Sequence, residues 1–385
     1  MKTRRNCMAW RMIPPAVLML TLSFSAIAKE FTITTIDPPG SGVASGYGAE
    51  GIVINSSGAI AGFYVGSSNV FHAYVREADG TLVTFDAPGA PSTADGPPPI
   101  GTSAGTGQGT YAPAMDDSGA IAGYVIDATG VAHSYLRAPD GTMTLFDVPG
   151  AGAESGQGTM AGNMGAGVIT GNYVDANGMS HGFLRTPDGK ITTFDVPDAG
   201  TGAGQGTMLG WAQCINPAGT INGYYIDANG VGHGYLRAAD GAMTTLDAPG
   251  AGYGSGQGTW TWSINTAGAV TGAFQDANGV YHAVLREPDG RFINFDVPGA
   301  GTASGQGTQG EGIDPAGAIV GLFIDASGVS HGFVRAHSGV ITEFDVPGAG
   351  TGSGQGTFPM TNNSSGAITG FYADSNGVYH GFVLK

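Results

Sequence analysis

The chain has 385 residues, with 14 Lys+Arg against 30 Asp+Glu and a formal net charge of −16. So acidic a balance excludes nucleic acid and anionic lipid surfaces as partners. Glycine (70) and proline (21) supply 91 residues, a composition near that of disordered segments, but a 41% hydrophobic content and a fixed glycine period argue for a folded repeat.

The first 28 residues read as a secretory signal peptide. Lys2, Arg4, Arg5 and Arg11 form its basic start, Met12 to Leu22 its apolar stretch, and Ala26-Ile27-Ala28 its cleavage site. Removing it takes four of the 14 basic residues and no acidic one, leaving 10 against 30 and a net charge near −20. Cys7 leaves with it, so Cys214 has no intramolecular disulfide partner. The expected product is one domain, residues 29–385, secreted or periplasmic, with no membrane insertion after signal removal and a monomeric state.

Seven histidines mark the repeat: His72, His133, His181, His233, His282, His331 and His380, spaced 61, 48, 52, 49, 49 and 49 apart. The long first interval holds an insertion, Pro91 to Ala104, whose Pro, Gly, Ser and Thr suit a surface loop. Each unit divides into four strand-like pieces. In the stretch Gly258 to Pro298 they are Thr259 to Asn265, Ala269 to Gln275, Val280 to Arg286 and Phe292 to Val297. Turn sequences such as Asn278-Gly279 and Asp289-Gly290 separate them, and both residue types tolerate φ > 0. Three successive hairpins per unit of about fifty residues give the period of a β-propeller blade. The fourth strand stops at a proline, as in Asp345-Val346-Pro347-Gly348, and a glycine-rich link leads to the next unit. A glycine stands inside every second strand (Gly62, Gly123, Gly171, Gly223, Gly272, Gly321, Gly370), where blade-on-blade packing is the expected cause.

The first strand-like piece, Phe31 to Asp37, has the pattern of a fourth strand, and Val378 to Lys385 that of a third with no fourth after it. The predicted fold is therefore all-β: a seven-bladed β-propeller of four-stranded antiparallel blades, closed by the N-terminal strand completing the last blade.

The unit Gly171-Asn172-Tyr173-Val174-Asp175-Ala176-Asn177-Gly178-Met179-Ser180-His181-Gly182-Phe183 resembles the bacterial exported HAF repeats, named for a His-Ala-Phe segment. The resemblance covers roughly Tyr47 to Lys385, and His72-Ala73-Tyr74 is the nearest match to the segment itself. It implies export and a β-repeat fold, and it carries no activity or catalytic residues.

His233 with Asp247, or His282 with Asp296, has the chemistry of a base and its orienter. Recurrence in all seven units points instead to a packing and hydrogen-bonding device repeated with the fold. No nucleophile elbow, zinc-protease helix or Cys pair is present, so no cofactor is expected. The turn aspartates (Asp127, Asp175, Asp227, Asp276, Asp325, Asp374) lack the further oxygen ligands of a calcium loop, and no metal is expected.

A unique site must break the symmetry. The first strands vary most, and the unit near residue 210 has three extra residues there. Trp211, Gln213, Trp260, Trp262 and Glu311 are the ligand-binding candidates, because aromatic faces beside amides and carboxylates suit sugar rings; filling between blades is the other role open to the tryptophans. Two functions follow: a non-catalytic binding or surface-interaction propeller for an extracellular glycan or protein, or an extracellular polysaccharide lyase or hydrolase.

Overall fold

The computed structural model describes residues 32–93, 107–210 and 212–385. Residues 1–31, where the signal peptide is expected, most of the 91–104 insertion and Trp211 lie outside the described residues. Those described contain no helix; their 28 strands form one closed sheet.

The antiparallel pairings run in sets of four consecutive strands. One set is Gly258–Ile264, Val270–Gln275, Tyr281–Arg286 and Phe292–Phe295, each paired with the next. The observed strands match the predicted pieces to within one or two residues. A single parallel bridge joins the third strand of each set to the first of the next, as at Gly232↔Gly258 and Tyr281↔Gly307. At these bridges the backbones nearly touch. A Cβ on Gly258, which has φ 122°, would lie 2.0 Å from the Gly232 carbonyl oxygen, so only glycine fits.

The two ends of the chain meet. Ile33–Ile36 pairs antiparallel with Tyr379–Leu384, in the register Ile33↔Leu384 to Ile36↔Gly381. Tyr379 also bridges Gly48, which closes the ring. Thr32 and Lys385 exchange two backbone hydrogen bonds of 2.9 and 3.0 Å. The histidine–aspartate pairing of the other units is completed here across the chain, by His380 Nδ1 and Asp37 Oδ1 at 2.9 Å.

The core lies between neighbouring sets. Val320, Val346, Tyr372, Phe382 and Leu384 form one such cluster, with Ile33 and Phe344 packed against it. Guanidinium groups cover its rim: Arg335 lies 4.9 Å over the Phe295 ring and Arg137 4.7 Å over Phe85, each reaching the preceding set. On one face the turns between first and second strands form a belt. Asn216 Nδ2 donates to the Asn265 carbonyl, Asn265 Nδ2 to Asp314, and Asn363 Nδ2 to Asn55 across the closure.

Two local features differ from, or add to, the sequence reading. The second-strand glycines are required by their own set, not by a neighbouring one. A Cβ on Gly272 would meet the Trp260 carbonyl at 2.0 Å, and one on Gly321 the Gln309 carbonyl at 2.1 Å and the Phe333 ring at 2.8 Å. The cause is a bulge in the first strand, seen as register shifts at Thr261/Ser263 and Gly310/Gly312. The second feature explains the Gly-Thr that opens most first strands. Thr308 Oγ1 accepts a hydrogen bond from Val297 N, and Thr357 Oγ1 from Val346 N, which ties each fourth strand to the next set. The first set has Ala49 at this position, and the corresponding donor residue is Pro38, which has no N–H to satisfy.

Candidate functional site

Side chains alternate across a strand, so the third and fifth residues of each first strand share a face. Across the sets these positions hold Glu50, Tyr111, Met160, Met208, Trp260, Gln309 and Phe358, then Ile52, Pro113, Gly162, Trp262, Glu311 and Met360, the strand that begins at Gly206 ending before its fifth residue. Glu50, Pro113, Trp260, Glu311 and Phe358, from five different sets, line one cavity of about 680 Å³, which puts it at the centre of the ring. Gly328 and Gly354 also border it, placing its mouth on the face made by the inter-set links and the turns between second and third strands.

The wall is aromatic and acidic. Trp260 is half-buried, with its ring 6.2 Å from that of Tyr281. Phe358 stacks on Phe371 at 4.9 Å, and Phe371 meets Tyr379 edge-on at 5.5 Å. Glu311 is only 8% exposed, and no hydrogen bond or ion pair engages its carboxyl among the described residues. Burial pushes its pKa up to about 8. Its charge also adds to burial in raising the Tyr281 phenol. Glu50 retains partial exposure toward the cavity, yet burial pushes it likewise to about 8. Its charge adds to burial in raising Tyr74 and Tyr124.

The predicted candidates do not all meet here. Trp260, Trp262 and Glu311 do, although Trp262 is only 7% exposed and offers no broad platform. Gln213 is exposed, but it lines a second cavity of about 250 Å³ with the turns between first and second strands, on the opposite face. The three extra residues carry it away from the aromatic cavity, while Pro113 lines both. Sequence reasoning missed Glu50. It occupies the position of Trp260 and Gln309, but the Gln-Gly-Thr that marks the other first strands is Tyr47-Gly48-Ala49 here.

The seven histidines make a separate, repeated arrangement. Each Nδ1 meets the aspartate that ends a fourth strand, from 2.8 Å in His72–Asp86 and His233–Asp247 to 3.0 Å in His331–Asp345. In six units Nε2 also lies 3.7–3.9 Å from the turn aspartate; in the first unit Gly66 stands in that turn. Most of the rings stack on an aromatic of the second strand, as His181 does on Tyr173 at 4.7 Å. They are half-buried, with half-exposed partners. The turn aspartates spend their oxygens on their own turns: Asp325 Oδ1 accepts from Val329 N and Ser327 N, and these bonds hold its carboxyl below the ordinary range. Among the described residues no group of three or more His, Cys, Asp or Glu could hold a metal ion. Cys214 is fully buried, its thiol pushed up by burial, and it takes no part in either cavity.

No family model and no curated protein matches the chain. Among solved structures, it is similar to the BP39L lectin from Burkholderia pseudomallei, with 11% identity over 89% of this chain and 96% of that one and a TM-score of 0.55. At such identity the likeness is one of fold: an all-β, propeller-like ring of repeated strands. AofleA from Arthrobotrys oligospora (TM-score 0.44, 11% identity, 92% of this chain and 86% of that one) and a puromycin hydrolase (0.42, 13%, 88% and 50%) are also similar.

Proposed function

We propose that the chain is an exported, non-catalytic binding protein, a seven-bladed propeller whose seventh blade is completed by the N-terminal strand, and that it takes a glycan at the central aromatic cavity. Four-strand pairing in each set and the joining of the two chain ends support the blade count. The signal-like residues 1–28 support export to the periplasm or beyond, and the HAF-like repeats are in keeping with it. The observation that carries the binding reading is the cavity itself. It is the place where the repeat is broken, and its Trp260, Tyr281 and Phe358 rings face a space large enough for a sugar ring. That a lectin shares the fold accords with this reading.

One observation favours the enzyme reading: two carboxyls, Glu50 and Glu311, border the same cavity. Acid–base catalysis needs environments that push two pKa values apart, so that one group holds a proton and the other does not. Here burial moves both in the same direction, to about 8. The aromatic wall, which suits a sugar face whatever the carboxyls do, is what favours binding. Passing the purified protein over a panel of immobilised neutral, acidic and amino-bearing polysaccharides tests it. Retention on at least one of them without chain shortening is expected. Shortening of a retained polysaccharide would establish the enzyme instead, and no retention on any would overturn the glycan reading.

A further inference from the structure

The cavity sets two carboxyls beside uncharged polar groups such as Gln309 and Ser330, but beside no cation. Neutral sugars are held by many directed donors and acceptors around apolar faces. Among the described residues that line this cavity there is no Lys, Arg or His, and the charged groups are the two carboxyls. Glu311 is more than nine-tenths buried, lines the cavity and has no partner of its own. A buried carboxylate without a counter-charge is costly. The remaining wall is largely aromatic, with the half-buried rings of Trp260, Tyr281, Phe358 and Phe371 and the edge of the buried Trp262. Aromatic faces with carboxyls between them, which a neighbouring cation ionises, are complementary to an organic ammonium ion.

We infer that the central cavity recognises an ammonium group, carried by an unacetylated amino sugar. This rests on the binding reading above and names the ligand class of that site. An ammonium beside Glu311 or Glu50 supplies the opposite charge that each lacks, and so draws its pKa back toward the ordinary carboxylate range. Binding near neutral pH is therefore accompanied by proton release. The negative charge of the whole chain favours approach of a cationic saccharide.

The test uses three probes at neutral pH and low salt, followed by tryptophan fluorescence: the glucosamine tetramer, the N-acetylglucosamine tetramer and choline. The wild type should bind the glucosamine tetramer at least about tenfold more tightly than its acetylated counterpart. Glu311→Gln, with Glu50→Gln as a second variant, should remove most of that preference while the circular dichroism spectrum is unchanged. Equal or tighter binding of the acetylated tetramer would overturn the inference and leave the glycan reading standing. A preference that persists in both variants would also overturn it. Choline binding as tightly as the glucosamine tetramer would support the ammonium and overturn the sugar. Failure of all three probes to bind would overturn the inference and count against the glycan reading as well.

Discussion

A carboxyl drawn out of water without a partner keeps its proton to higher pH; Glu311 is buried in this way and Glu50, still partly exposed to the cavity, is shifted in the same direction. In the unfolded chain both return to the ordinary value of 4.5, whereas in the fold they titrate near 8. Between those values the folded state binds more protons than the unfolded one, so stability falls as pH rises, by up to about 1.4 kcal/mol per pH unit per group. Thermal unfolding followed from pH 5 to pH 8.5 should show a falling Tm in the wild type and a shallower fall in the Glu50→Gln/Glu311→Gln double variant; parallel curves would mean that neither group is shifted. His331 is half-buried and Asp345 half-exposed, so His331→Ala leaves no buried orphan and should cost about 1 kcal/mol from the lost hydrogen bond and Phe323 stacking. A loss above about 3 kcal/mol in urea unfolding would contradict that reading. That Trp260, Trp262 and Glu311 fall together was legible because they depart from the repeat, and all three line the central cavity. Glu50 was not, because the Gly-Thr marker used to align the first strands is lost where Pro38 makes the threonine unnecessary.

At the scale of the strands, the hydrogen bond from each fourth strand to the next set depends on one hydroxyl. Thr308→Ala would leave the buried Val297 N–H without a partner and should cost about 1–3 kcal/mol in chemical denaturation, whereas Ala49→Thr should add almost nothing, since Pro38 has no N–H to donate. Equal effects at the two positions would show that the hydroxyl acts through packing alone. Strand positions and turns were readable from period-two alternation and from Asn-Gly and Asp-Gly pairs, because these are local properties of the chain. The reason for the second-strand glycines was not. It lies in a bulge of the partner strand, and a bulge arises from pairing rather than from composition. The displacement of Gln213 to the opposite face has the same origin: three added residues shorten the regular strand to Gly206–Leu209 and send the rest of the segment elsewhere.

For the whole molecule, closure and the central cavity are linked. The ring is shut by Ile33–Ile36 against Tyr379–Leu384, and Glu50 and Phe358 on either side of that joint both line the cavity. Deleting residues 32–37 removes the buried Ile36, the Asp37–His380 pair and the strand pairing, and should lower Tm by roughly 5–10 °C. An unchanged Tm would mean that the terminal strand is not part of the folded ring. The central claim is that function resides in the cavity where the repeat is broken, and not in the seven repeated His–Asp pairs. Its most direct measurement is a fluorescence titration with the polysaccharide-derived oligomer retained most strongly, comparing the wild type with Trp260→Ala and His331→Ala. Trp260→Ala should lose binding and His331→Ala should keep it at wild-type affinity. Loss of binding in folded His331→Ala, with Trp260→Ala unaffected, would contradict it.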